Sequence, residues 1–240
     1  MSKLLEVNNI SVSYHKGSQV LWDVSLEIND GECIALVGVN GAGKTTLINT
    51  ICGIIHSHKG TITFEGKRID NLEPHAIASL GLIQVPEGGG LFSKLTVKEN
   101  LLMGCYLKEK RKRAAQKLKE VYSIFPWLKD RENQVAESLS GGERQMLAIA
   151  RGLMANPKLL IIDEVSLGLS PLAIKEVYRK IKEIKNLGIT TLIVDENARR
   201  ALSICDRAYV IESGRIVLSG KPTELLENKE FEKVYFGVEG

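Results

Sequence analysis

At 240 residues, with 32 basic and 29 acidic side chains, a net charge of +3 and a hydrophobic share of 44%, the chain reads as one globular domain with room for an inserted subdomain, and composition argues neither for nor against nucleic acid. Its four cysteines, Cys33, Cys52, Cys105 and Cys205, form no Cys-x-x-Cys pair, which excludes a zinc knuckle or a disulfide framework and fits a reducing, cytoplasmic setting. The longest apolar runs, such as Ile34–Val39 and Leu159–Ile162, are far too short to cross a bilayer, and the polar start Met1–Ser13 has no signal-peptide character, so any service to a membrane is performed from outside the lipid.

Leu4–Tyr14 and Val20–Ile28 alternate apolar and polar residues and are predicted as two antiparallel strands. After a turn at Asn29–Gly31, the apolar run Cys33–Val37 predicts a buried strand, and Lys44–Ile54 has helical spacing at Leu47, Ile48, Ile51 and Cys52. Between them, Gly38-Val39-Asn40-Gly41-Ala42-Gly43-Lys44-Thr45 satisfies the phosphate-loop pattern G-x-x-x-x-G-K-[S/T], in the strand-before, helix-after context that the pattern requires. Glycines let successive amides turn toward a phosphate, and the helix adds its positive N-terminal end. Lys44 is the expected point charge for the β- and γ-phosphates of ATP, Thr45 supplies a hydroxyl to Mg²⁺, and Thr46 completes the nucleotide-binding segment. A merely tight strand-to-helix turn leaves Lys44 unexplained.

The middle of the chain, from about Leu95 to Asn133, is expected to be helical, with a capping box at Thr96-Val97-Lys98-Glu99 and an unbroken run from Leu107 to Phe125 that ends at Pro126. Beyond it come a helix (Glu143–Met154), a buried strand (Leu159–Ile162), a helix (Pro171–Leu187), a strand (Thr190–Val194), a helix (Ala198–Cys205) and a strand (Tyr209–Glu212). That alternation predicts an α/β fold with mostly parallel strands and helices on both faces. Asp163 and Glu164 close a buried strand at its carboxyl end, where open parallel sheets place ligands. Asp163 suits the Mg²⁺ shell and Glu164 the attacking water of phosphoryl transfer.

Leu139-Ser140-Gly141-Gly142-Glu143-Arg144-Gln145 opens a helix with a serine and two glycines, a second anion site for which a single-nucleotide kinase has no evident use. The segment closely resembles the signature of ABC ATPases. The resemblance implies a P-loop NTPase core over 1–86 and 139–240, with an antiparallel β subdomain, and an inserted helical subdomain over 87–138. It further implies that Ser140, Gly141, Gly142 and Gln145 of one subunit close over the ATP held by the phosphate loop of another, either a sister ATPase or a second copy. Tyr14 matches the aromatic residue on which such proteins stack adenine.

Closer still is the branched-chain amino-acid importer branch, whose pattern appears in Val85-Pro86-Glu87-Gly88, Ser166-Leu167-Gly168-Leu169, Asp206-Arg207-Ala208-Tyr209-Val210, Gly214-Arg215-Ile216-Val217 and Tyr235-Phe236-Gly237. Within it the chain resembles the smaller of two sister ATPase subunits. Implied partners are integral membrane permeases, with an external protein supplying the solute and no nucleic acid; a soluble ABC regulator is the alternative. Glu87 stands where most ABC ATPases have a glutamine near the nucleotide, Glu196 where they have the switch histidine, Ser170 where an aspartate is usual, and Val165 where a proline is common. These departures bear on hydrolysis rather than on nucleotide binding. His56 and His58 are read as an exposed loop rather than a metal site, and Lys108, Lys110, Arg111, Lys112 and Arg113 as a solvated helix face, with anionic headgroups the alternative.

Overall fold

The computed structural model describes residues 2–14, 17–106 and 113–236, apart from the side chains of 232–234 and 236. Strands β1 (Lys3–Ser13) and β2 (Gln19–Asn29) pair antiparallel, as their alternation predicts. On β1 the buried row Leu5 and Val7 changes phase to Ile10 and Val12 across a register shift where Asn9 adopts φ +48°. The bulge keeps both halves of the strand facing the core.

Strand β3 (Cys33–Val37) is buried along its whole length and runs into the glycine loop that opens α1 (Lys44–Ile51). The helix stops at Ile51 rather than reaching Ile54. Cys52 caps it, Gly53 turns left-handed at φ +75°, and Ile54 is exposed. Strands β4 (Lys59–Phe64) and β5 (Lys67–Arg68) then complete a four-stranded sheet in the order β2-β1-β4-β5. Neither strand is predicted by the sequence, because β4 buries only Ile62 and Phe64 fully among polar neighbours.

Helix α2 (Pro74–Leu80) and β6 (Leu82–Val85) precede the helical insert, α3 (Val97–Met103), α4 (Ala114–Ile124) and α5 (Pro126–Asp130). The expected capping box opens α3, with the Glu99 amide donating to Thr96 Oγ1 and the Thr96 amide to Glu99 Oε2. Pro126 ends α4 and starts α5, where its missing amide costs nothing. The first part of the predicted Leu107–Phe125 helix, with Lys108, Lys110, Arg111 and Lys112, lies outside the described residues.

The remainder alternates as predicted, through α6 (Gly141–Met154), β7 (Leu159–Asp163), α7 (Pro171–Asn186), β8 (Thr190–Asp195), α8 (Ala198–Leu202) and β9 (Arg207–Glu212), and three elements that the sequence does not predict follow, β10 (Arg215–Gly220), α9 (Pro222–Leu226) and α10 (Lys229–Phe236). A six-stranded sheet in the order β10-β9-β3-β8-β7-β6 results, parallel except at β10. The unpredicted β10 is a half-exposed edge strand. One face of this sheet, with Ala35, Leu160, Ile162 and Ile193, packs on α6, α7 and the insert residues Leu101, Val121 and Phe125. The other, with Ile34, Leu36, Ile161 and Leu192, packs on α1 and the antiparallel sheet. Burial on both faces explains why these strands read as continuous apolar runs.

All four cysteines are buried thiols outside any disulfide, and burial pushes the thiols of Cys33, Cys52 and Cys205 up to about 12, as inert core residues. Among the described residues no helix is long and apolar enough to cross a membrane.

Candidate nucleotide site

The end of β3 and the start of α1 shape the loop around Lys44. A Cβ at Gly38 would collide with the carbonyl of Ile211, and Gly43 holds φ +105° with Leu21 packed against it, so the loop is closed tightly onto β9 and β2. Lys44 is buried and its side chain folds back, with Nζ donating to the carbonyls of Gly38 at 2.9 Å and Val39 at 3.4 Å. No side chain caps the N-terminus of α1, which leaves its first amides for an anion.

Two carboxylates from the end of β7 face this cation. Glu164 Oε1 lies 3.2 Å from Lys44 Nζ, while Oε2 is buried with no hydrogen-bond partner among the described residues. Burial holds the Glu164 carboxyl above its usual range; Lys44 opposes the shift, and the charges of Asp195 and Glu196 add to it. Its backbone is left-handed at φ +49°, which costs a non-glycine residue on the order of 1 kcal/mol and is the kind of strain found at functional positions.

Asp163 is buried, its Oδ1 also lacks a partner among the described residues, and its carboxyl is pushed up to about 6, first by burial and then by the charges of Glu164 and Glu87, against Lys44. An orphaned carboxylate oxygen of this kind fits Mg²⁺, which is held through one or two carboxylates together with substrate phosphates. Thr45, exposed at the start of α1, offers the hydroxyl that would accompany it.

A cleft of about 370 Å³ opens over these groups, lined by Val20, Asn40, Gly41, Lys44, Glu87 and Glu164 among others. Tyr14, half exposed at the end of β1, reaches α1 through a 3.1 Å hydrogen bond with Thr46 Oγ1. Glu196 is exposed and does not line the cleft, although its charge acts on Glu164.

The Ser140 segment stands elsewhere. Ser140 caps α6 through a capping box, its amide donating to Glu143 Oε2 at 2.9 Å and its Oγ accepting from the Glu143 amide at 3.3 Å; Arg131 pairs with Glu143 at 2.6 Å. A Cβ at Gly142 would lie 2.6 Å from the Ala173 methyl of α7, so α6 and α7 meet with no room for a side chain there. Gln145 is buried with its Nε2 unpartnered among the described residues. None of Ser140, Gly141, Gly142 or Gln145 lines the cleft around Lys44.

The family model for ABC transporters matches residues 21–166. The high-affinity branched-chain amino acid transport ATP-binding protein BraG of Pseudomonas aeruginosa is 43% identical over 98% of this chain and 100% of its own length. The chain belongs to the ABC transporter ATP-binding family. A second relative, the lipopolysaccharide export system ATP-binding protein LptB of Escherichia coli K12, is 37% identical over 97% of each chain. Among solved structures, the ADP conformation of an ATP-binding cassette of an ABC transporter superposes with a TM-score of 0.86 at 28% identity, covering 99% of this chain and 100% of that one. The chain is thus an ABC ATPase whose nucleotide is ATP.

For this ABC ATPase the structure gathers Asn40, Gly41, Gly43, Lys44, Thr45, Thr46, Glu87 and Glu164 in one cleft and leaves Glu196 and the signature outside it. Sequence reasoning missed two apolar lining residues, Val20 and Leu167. Nothing separates Val20 from any other strand residue, and Leu167 follows the acidic pair in a loop whose path the sequence does not show. Ser170, in place of the usual aspartate, caps α7 by accepting from the Ala173 amide. His56 and His58 are exposed, and no metal-ligand cluster is found among the described residues.

Proposed function

We propose that this chain is a motor subunit of an importer of branched-chain amino acids, acting on the cytoplasmic face of the membrane as one half of an ATPase pair. The observation that carries the substrate class is the full-length match to BraG, at 43% identity against 37% for LptB. Two such ATPases, this chain with a sister or a second copy, hold ATP between the phosphate loop of one and the signature of the other. The separation of Ser140 and Gly142 from the Lys44 cleft supports this arrangement, since neither half serves both ends of one nucleotide.

In the closed pair Tyr14 stacks on adenine, and the amides of Gly38 through Thr46 and the Lys44 ammonium bind the phosphates. Thr45 and Asp163 hold Mg²⁺, which neutralises phosphate charge when bound. Glu164 orients the water that attacks the γ-phosphorus as the bond to the bridging oxygen breaks, and Ser140 and Gly142 of the opposing subunit bind the γ-phosphate. Glu87 flanks the site, and Gln145 supports the signature from inside α6.

ATP draws the pair together through contacts made only in the closed state, and loss of the γ-phosphate releases them. An apolar groove of about 430 Å³ between α2, β6 and the insert, carrying exposed Ile54, Phe92, Met103 and Tyr106, gives membrane permeases a seat. An export motor of the LptB kind is the second reading, on the 37% identity.

The deciding experiment is uptake of leucine, isoleucine and valine in the native host with the gene deleted. Uptake is expected to fall and to return with the parent gene but not with Glu164→Gln. Unchanged uptake, with lipopolysaccharide held back in the inner membrane, would overturn the import reading in favour of export.

A further inference from the structure

Three donors from three elements converge on one buried carboxylate that the mechanism above does not use. Asp195, at the end of β8, is fully buried. Its Oδ1 accepts from Ser166 Oγ at 3.0 Å and from the Asn197 backbone amide at 2.8 Å, and its Oδ2 accepts from the Tyr178 hydroxyl at 2.7 Å. Burial raises the Tyr178 hydroxyl well above its ordinary range, so it stays a neutral donor.

Each donor belongs to a segment that borders the site. Ser166 stands two residues after Glu164, in the loop that leaves β7. Asn197 follows Glu196 directly and caps α8 by accepting from the Arg200 amide at 3.1 Å. Tyr178 projects from α7, whose Ser170 cap closes the far end of the Glu164 loop. Because Glu164 sits in a left-handed conformation, the direction of its side chain depends on how firmly the loop beyond it is held.

Packing alone does not call for an acid here. The preceding residues of β8, Leu192, Ile193 and Val194, are apolar, and a buried polar cluster generally stabilises no better than apolar residues of the same shape. The strand turns acidic only beside Val37, its partner in register at the mouth of the phosphate loop.

We propose that Asp195 is a positioning residue for ATP hydrolysis: it ties the loop carrying Glu164 to the turn carrying Glu196, with Tyr178 as the strut from α7, so that the two segments move as one unit. Asp195 touches no reacting atom. It acts through Ser166 on the direction of Glu164 and through Asn197 on the turn at Glu196. The inference rests on Glu164 orienting the attacking water.

The test compares steady-state ATPase of the assembled transporter with binding of a fluorescent ATP analogue to the full chain, for Ser166→Ala, Tyr178→Phe, the double variant and Ser166→Thr. Each single variant is expected to lower kcat about tenfold while analogue affinity stays within about twofold, the split expected when only transition-state positioning is lost. Because both hydroxyls act through one carboxylate, the double variant should fall no more than about threefold below the worse single, where independent effects would multiply to about a hundredfold. Ser166→Thr, which keeps the hydroxyl, should restore turnover. Singles within about twofold of the parent, multiplicative losses, or affinity falling in step with kcat would each overturn the proposal. A parent that fails to hydrolyse ATP would instead sink the motor reading, which keeps the two failures apart.

Discussion

Lys44 Nζ lies 3.2 Å from Oε1 of Glu164, a buried ion pair between the two side chains assigned to opposite ends of the chemistry. A phosphate entering the cleft competes with Glu164 for this ammonium. Once Lys44 turns to phosphate, the carboxylate loses a charge that holds its proton affinity down, while burial and the charges of Asp195 and Glu196 still push it up. Moving Lys44 from Glu164 to phosphate therefore removes one restraint on the proton affinity of Glu164.

Glu164→Gln follows from that competition. Removing the rival for Lys44 should leave ATP affinity intact or improved while turnover falls at least about a hundredfold, the usual loss when a general base goes. Size exclusion should show an ATP-bound dimer of this variant. Lys44→Ala should do the reverse and weaken ATP binding about tenfold or more, for want of a charge-assisted contact; equal affinity in Lys44→Ala and the parent would count against the role given to Lys44.

Dilution is the second test, because Ser140 and Gly142 lie outside the cleft of their own chain. Specific ATPase activity of the purified chain should rise with protein concentration while nucleotide binding to single chains persists. An activity independent of concentration in a sample shown to be monomeric would contradict a site shared between subunits.

Glu196 is exposed, does not line the cleft, and raises the proton affinity of Glu164. A carboxylate facing a γ-phosphate would be repelled, so Glu196 is expected to turn away from ATP. Glu196→Gln should preserve or raise turnover in the assembled transporter. A loss as deep as that of Glu164→Gln would mean that the catalytic carboxylate has been assigned to the wrong residue.

Glu143 offers a pH test. The Ser140 amide holds its carboxyl below the usual range, helped by the Ser140 hydroxyl and Arg131 and opposed by burial. A lowered pKa in the folded state means stability that is complete above the ordinary glutamate value near about 4.3 and lost as pH falls through the folded one. Glu143→Ala should therefore cost about 1 kcal/mol near neutrality, roughly 2–4 °C in Tm for a chain of this size, and the gap should close in acid. Thermal unfolding at both pH values measures it, and a gap that persisted in acid would show that the carboxylate is not its source.

How much of this was legible in the residues follows from how local each signal is. The phosphate loop, the Asp163-Glu164 strand end and the capping box at Thr96 are short contiguous patterns, and each stands where it was expected. Strands β4 and β10 are not local in that sense. β4 is held by pairing with β1 across a long stretch of chain, and β10 is an edge strand in which no residue is fully buried. Asp195 carried no signal beyond an acid at a strand end, because its meaning lies in Ser166 and Tyr178, which only the fold brings to it. Glu87 reached the cleft through its resemblance to the importer branch, not through any pattern of its own.

The contact between Gly142 and Ala173 limits how the sequence can drift. With a Cβ at 142 only 2.6 Å from the Ala173 methyl, the two positions share one allotment of space between α6 and α7. Alanine at 142 is tolerable only if 173 becomes glycine in the same chain, so the pair should vary together among relatives or not at all. A signature that looks intact in a distant relative is therefore informative only when read alongside the third residue of the helix that follows the acidic pair.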